Sequence, residues 1–294
     1  MGKAIEIKEI RKAFGEKKVL DGIVLNIEKG EIFGLLAPSG AGKTTLIKIL
    51  TGQLNADSGT SIVNGINSNA LTGAECRKFG IMMDNFGLYD RLSCYDNLKI
   101  FAGIYGIGKA RIYEVLEAVG LSDSAKKSAS ALSKGMSSRL RLARVLLHNP
   151  EILFLDEPAS GLDPAAAEEI QKLILAEKSK GKTIFLTTHD MAEAELLCNN
   201  IALLDGGKIV EYGNPREICR RYNHKKTLKI HLKNGEDMEL PHNEKSAEIP
   251  RRPKKSEKCR NPLKIQGLRH FQPFRETSGV CPANPGKACL PQSG

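Results

Sequence analysis

Over the first 240 residues, apolar positions fall into short runs separated by stretches of helical spacing. The runs AIEIKEI (4–10), EIFGLLA (31–37), SIVNG (61–65), KFGIMM (78–83), EILFLD (151–156), TIFLTT (183–188) and IALLDGGKIVEYG (201–213) have strand length. Between them, TTLIKIL (44–50) puts Leu46, Ile47 and Leu50 on one helical face, and helical segments are expected at about 95–149, about 164–180 and up to about 199. Strands alternating with helices predict an α/β fold with a mainly parallel central sheet and an antiparallel N-terminal part. The stretch from about 85 to 149 carries no strand signal and is long enough for a separate helical subdomain. KTLKIHLKNGEDMEL (226–240) predicts a hairpin, with Asn234-Gly235 suited to a type I′ turn. Beyond Leu240 the pattern stops: eight of the 13 prolines lie in the last 54 residues, without sustained periodicity. The expected organisation is one domain over 3–240 and a disordered or atypical tail over 241–294.

Chemistry enters at APSGAGKTT (37–45), between a predicted strand and a predicted helix. Gly42, Lys43 and Thr44 complete the end of the phosphate-loop pattern G-x-x-x-x-G-K-[ST], although Ala37 stands where its first glycine belongs. In that order of elements, the free N–H groups and the positive dipole end of the helix lie at the loop, where an anion is stabilised. The candidate phosphate cradle is therefore Ala37, Pro38, Ser39, Gly40, Ala41, Gly42, Lys43, Thr44 and Thr45, with the facing N–H groups expected from Gly40 to Thr45.

The net charge of +10 invites a nucleic-acid reading, but its distribution argues against one. The last 54 residues hold 11 Lys+Arg against 4 Asp+Glu, which leaves the first 240 close to balance. Seven cysteines without framework spacing fit reduced thiols, and no apolar run reaches the roughly 18 residues of a membrane helix. The N-terminus MGKAIEIKEI has no apolar signal core, and Glu6 stands where a myristoylation motif wants Ser or Thr, so the chain is expected in the cytoplasm.

Four further stretches have two readings each. EILFLDEP (151–158) ends a strand on Asp156 and Glu157, which fits a Mg²⁺ ligand beside a carboxylate facing an attacking water, or a buried strand capped by acids. ALSKGMSSRLRLARVLL (131–147) offers Ser133 and Gly135 before a helix, as an anion site or an ordinary cap. His189 closes TIFLTTHD as a catalytic or as a structural histidine, and ASGLDP (159–164), with Asp163, is a functional loop or a helix entry.

Taken together, in this order, these stretches resemble the nucleotide-binding subunit of ATP-binding cassette transporters over about residues 3–240. The matching motifs are the P-loop APSGAGKTT, the signature LSKGM, the acidic strand ILFLDE, the aspartate loop SGLD and His189. The resemblance implies a P-loop nucleoside triphosphate hydrolase with ATP and Mg²⁺ as cofactors. Phe14 would stack on adenine, though alone it fits a core position equally well. Lys43 would meet the β- and γ-phosphates, and Thr44, Asp84 and Asp156 would serve the metal. Glu157 would polarise the water and His189 would touch the γ-phosphate. Ser133 and Gly135 would reach the nucleotide of a second cassette, so that two chains sandwich two ATP molecules.

Three departures stand out. Ala37 replaces a glycine, at a cost of about 1–2 kcal/mol if its backbone is left-handed. Asp84 stands where the family has a glutamine linking Mg²⁺ to the transmembrane partner, which implies altered coupling rather than lost binding. The signature ends LSKGM rather than LSGGQ. GLYDRLSCYDNLKIFAGIYG and the stretch from Ser133 to Pro164 look most like cassettes of bacterial drug or antimicrobial-peptide exporters. That likeness implies a peripheral ATPase on the cytoplasmic face of the membrane, paired with a second copy and a separate permease, with no nucleic-acid partner. The competing readings are a soluble cassette ATPase acting on nucleic acid or ribosomes, and a nucleotide-binding regulator that hardly hydrolyses ATP.

Overall fold

The runs IFGLL, ILFLD and TIFLTT are buried along their whole length, as parallel strands covered on both faces must be. A computed structural model describes residues 2–83 and 87–222 in full, together with the backbone of strands 227–231 and 237–241. The chain forms two units, Met1–His224 and Lys225–Gly294.

In the first unit, β1 (Lys3–Phe14), β2 (Lys17–Glu28), β4 (Ser58–Val63) and β5 (Ile66–Asn67) make an antiparallel sheet ordered β2-β1-β4-β5. The central sheet is ordered β10-β9-β3-β8-β7-β6, from β3 (Ile32–Leu36), β6 (Phe79–Met82), β7 (Ile152–Asp156), β8 (Thr183–Thr188), β9 (Asn200–Asp205) and β10 (Lys208–Gly213). All of its pairings are parallel except β9 with β10. The helices are α1 (Lys43–Leu50), α2 (Gly73–Cys76), α3 (Cys94–Tyr105), α4 (Lys109–Ala118), α5 (Lys134–Leu146), α6 (Pro164–Ser179), α7 (Met191–Leu197) and α8 (Pro215–Tyr222). The α/β expectation and its mixed sheet arrangement are both present. The sequence pattern missed β2, whose inward set Ile23, Leu25 and Ile27 alternates with the exposed Val24 and Asn26.

The two-residue period of the strands sorts the core. Phe33, Leu35, Ile152, Phe154 and Phe185 pack with Leu46, Ile47, Ile49 and Leu50 of α1 and with the inward residues of β1 and β2. Ile32, Leu36, Leu153, Leu155, Ile184 and Leu186 pack on the opposite face with α3, α5 and α6. Between 87 and 149 the described residues hold α3, α4 and α5 and no named strand, which agrees with the expected helical subdomain.

In the second unit, β11 (Thr227–His231) pairs antiparallel with β12 (Asp237–Pro241), the predicted hairpin strands. The Asn234-Gly235 turn, Asp84 and the expected tail from 242 onward lie outside the described residues. Among the described residues, Cys76, Cys94, Cys198 and Cys219 are free thiols, and no helix is long and apolar enough to cross a membrane.

Candidate functional site

The parallel strands β3, β7 and β8 end together, and the chemistry gathers at those carboxyl ends. After β3 the loop turns into α1 at Gly42, whose φ of 109° is left-handed. A Cβ there would also sit 2.9 Å from Val19 Cγ1, so glycine is required on two counts. No side chain caps α1, which leaves its first N–H groups to a ligand. Ala41 is the exception within the expected cradle, because its N–H closes a turn on the Pro38 carbonyl at 3.3 Å.

A cleft of about 460 Å³ opens in front of this helix start. Ser39, Gly40, Gly42, Lys43, Thr44 and Thr45 line it from the loop, Asp156 and Glu157 from β7 and its exit, and Phe14 from β1. Phe14 is 51% exposed, so it is not a core residue, and Lys12 Nζ lies 5.6 Å from its ring centre. Lys17 and Val19 also line the cleft; a lysine and a valine on a strand gave no sequence signal for this.

Lys43 is 95% withdrawn from solvent, and its ammonium donates to the carbonyls of Ala37 (2.6 Å) and Pro38 (3.1 Å) while pairing with Glu157 Oε1 at 2.9 Å. Glu157 occupies a left-handed backbone position, φ 48°, rare for a residue with a side chain. Its N–H donates to the carbonyl and hydroxyl oxygens of Thr187, both at 3.1 Å, which pins this strained turn to β8. Burial pushes the Glu157 carboxyl up, but Lys43, His189 and Ser160 together outweigh burial and hold it below the usual carboxylate range. The ionised carboxylate then accepts from Nδ1–H of His189 at 3.1 Å, which fixes the tautomer of that ring.

Asp156 accepts from the Thr44 hydroxyl on one oxygen and from the Thr187 hydroxyl on the other, each at 2.5 Å. The Thr44 hydroxyl and the buried Asp156 carboxylate are hard oxygen donors at the lip of the cleft, a set that fits Mg²⁺ held jointly by protein and phosphate oxygens. Thr187 escaped the sequence reading because only the pairing of β7 with β8 brings it to Asp156.

Ala37 does not line the cleft. It is buried among Phe33, Leu35 and Leu46, it lacks a positive φ, and its N–H donates to the Thr188 carbonyl at 3.3 Å. The strain considered for a methyl at this position is therefore absent. Pro38 likewise serves through its carbonyl. Ser133, Gly135 and Asp163 are not brought to this cleft either. The Ser133 side chain caps α5 by accepting from Met136 N–H, and Asp163 caps α6 by accepting from Ala166 N–H. Gly135 permits close packing of α5 on α6, since a Cβ there would lie 2.7 Å from that of Ala166. Lys134 Nζ donates to the Gly161 carbonyl at 2.7 Å and the Ser138 hydroxyl to the Pro158 carbonyl at 3.1 Å, tying α5 to the loop after Glu157.

Comparison with known proteins gives the family. Residues 20–160 match the family described as ABC transporter. The sequence is 43% identical over 197 residues to a fluoroquinolones export ATP-binding protein of Mycobacterium tuberculosis, covering 67% of this chain and 65% of that protein. It is 35% identical over 222 residues to the lantibiotic transport ATP-binding protein SrtF of Streptococcus pyogenes, covering 74% and 96%. The fold resembles that of cbiO1 from Clostridium perfringens, described as part of an ABC transporter complex, with a TM-score of 0.69 and 28% identity over 76% of this chain and 92% of that one.

Proposed function

This chain belongs to the ABC transporter family, as an ATP-binding and ATP-hydrolysing subunit, and from that premise we propose that it powers an exporter of a drug or antimicrobial peptide through a separate membrane permease. The observation that carries the reading is the pair Lys43 and Glu157 in the P-loop cleft, beside the Thr44–Asp156 oxygen pair, with His189 bonded to Glu157 from the adjoining cavity. The names of the relatives, fluoroquinolone export and lantibiotic transport, support the cargo class.

Each residue has a role that follows from its position. The α1 N–H groups and Lys43 take the phosphate charge of ATP, and Phe14 offers an exposed aromatic face for the adenine. Thr44 and Asp156 would hold Mg²⁺, which when bound neutralises charge developing on the phosphates. Glu157 accepts the proton of the attacking water, and His189 steadies its carboxylate and reaches toward the γ-phosphate. Ser133 and Asp163 are exposed and Gly135 is buried where α5 meets α6, all away from this cleft, and we assign the three to the nucleotide of a second copy, so that a homodimer closes over two ATP molecules.

The chain then works at the cytoplasmic face of the membrane, without a nucleic-acid partner, and Asp84 takes part in coupling to the permease. No chemistry is assigned beyond residue 241, so a chain cut after Pro250 is expected to retain MgATP binding. The test is isolation of the full chain from its native membrane with ATP and Mg²⁺. Recovery with a membrane permease, and a nucleotide-dependent dimer of the purified chain, support the reading. Recovery with ribosomes or nucleic acid instead would sink it.

A further inference from the structure

The hairpin of β1 and β2 closes on Gly15 and Glu16, with Phe14 paired to Lys17 as its last rung. Phe14 is thus at the hairpin tip. On the other edge of β1, the pairing with β4 ends at Arg11 and Ser58. Because β4 begins at Ser58, among the described residues it has no partner to give Lys12, Ala13 or Phe14, and a tip paired on one edge alone is prone to fray. Asp57, the residue before β4, continues the ladder in its place. Its N–H donates to the Arg11 carbonyl at 2.9 Å. Its carboxylate accepts from the Ala13 N–H at 2.7 Å on one oxygen and from the Lys12 ammonium at 2.6 Å on the other. One residue of a separate loop therefore ties down all three residues that lead into Phe14.

We propose that Asp57 is a positioning residue for Phe14, fixing the hairpin tip and, through Lys12, one face of the ring, so that the opposite face is presented to the adenine of ATP. Lys12 Nζ stands over the ring at 5.6 Å from its centre, within the range of a cation–π contact. An ion pair between two exposed side chains would hold little. Here the Lys12 side chain is only 14% exposed, and the second carboxylate oxygen is engaged by a backbone N–H, which cannot swing away. Lys12 and Ala13 also hold the Asp57 carboxyl below the usual carboxylate range, which keeps both acceptors ionised at neutral pH.

The inference rests on the adenine-stacking role given to Phe14 above. The experiment titrates the full chain with MgATP and, separately, with magnesium tripolyphosphate, which carries the phosphates without the base; thermal melting reports whether each variant folds. Phe14→Ala sets the scale, and should weaken MgATP by about tenfold while leaving tripolyphosphate within about twofold of the parent. Asp57→Ala should weaken MgATP by about fivefold, again with tripolyphosphate within about twofold. Asp57→Asn, whose amide oxygen still accepts from Ala13, should lose about two- to threefold on MgATP alone. Adding Asp57→Ala to Phe14→Ala should cost no more than about a further twofold, since no ring is left to position. Parental MgATP affinity in Asp57→Ala beside a weakened Phe14→Ala overturns the proposal. So does an equal loss of both ligands, or a fully additive loss in the double variant. If Asp57→Ala does not fold, Asp57→Asn decides: a loss confined to MgATP supports the proposal, and parental affinity overturns it. A Phe14→Ala variant with parental MgATP affinity would instead take down the stacking reading on which it stands.

Discussion

Lys43 and Glu157 neutralise each other across 2.9 Å, so the cation we propose for phosphate and the carboxylate we propose for water activation are each other's partners before any substrate arrives. Arriving phosphate must draw Lys43 away. The loss of that cation then relieves the main influence holding the Glu157 carboxyl low and makes it a better base.

Glu157→Gln should therefore slow hydrolysis by about 100-fold or more, roughly 2.7 kcal/mol of barrier. ATP binding should be equal to the parent's or up to about tenfold tighter, because Lys43 no longer has an anionic competitor. Turnover and equilibrium nucleotide titration check the two halves separately. Parental turnover would remove Glu157 from its role, and weaker binding would show that the ion pair does not compete with phosphate.

Ala37→Gly should leave ATP affinity within about tenfold of the parent, or roughly 1.4 kcal/mol. The alanine methyl is buried in the core and its backbone is not left-handed, so glycine relieves no strain and loses a packed methyl. Stability should fall by about 1 kcal/mol. Denaturant unfolding and ATP titration of the same preparation measure both effects, and a large gain in affinity would mean that alanine obstructs the loop.

Gly135→Ala should destabilise the chain by about 1–3 kcal/mol, because the added methyl meets the Ala166 Cβ at 2.7 Å and forces α5 from α6. Melting of the nucleotide-free protein is the measurement. An unchanged melting temperature would show that the two helices separate freely, and would leave the glycine to its proposed role toward a second cassette.

At the opposite end of the strands, the buried Glu177 pairs with Lys180 at 2.5 Å and Lys182 at 2.7 Å. Burial raises its carboxyl, but the two lysines outweigh burial and hold it below the usual value. A carboxyl depressed by folding adds stability above its unfolded pKa, near 4.3, and loses it as pH falls through the lower folded value. Lys182→Met should cost about 1–3 kcal/mol at neutral pH without reducing ATP turnover. Its deficit against the parent should shrink as pH falls below about 4. Melting curves across that range test the sign: a deficit that grows in acid would contradict the pairing.

Much of this site was legible in the chain because its parts are local. A loop of Gly42, Lys43 and Thr44 between an apolar run and a helical stretch reports a phosphate cradle, since strand, turn and helix dipole are consequences of neighbouring residues. Asp156, Glu157 and His189 were equally visible, each closing a strand-length run. What the sequence by itself could not decide is which strand ends lie side by side. Only the pairing of β7 with β8 carries the Thr187 hydroxyl to Asp156 and pins the strained backbone of Glu157, and residues 31 positions apart leave no periodic trace of that contact. Tertiary packing also turned Ala37 inward, exposed Phe14 and buried Glu193, because whether a side chain meets water or core depends on what other elements cover it. The order of motifs determined the family and the chemistry; the order of strands in the sheet decided which side chains hold each other in place.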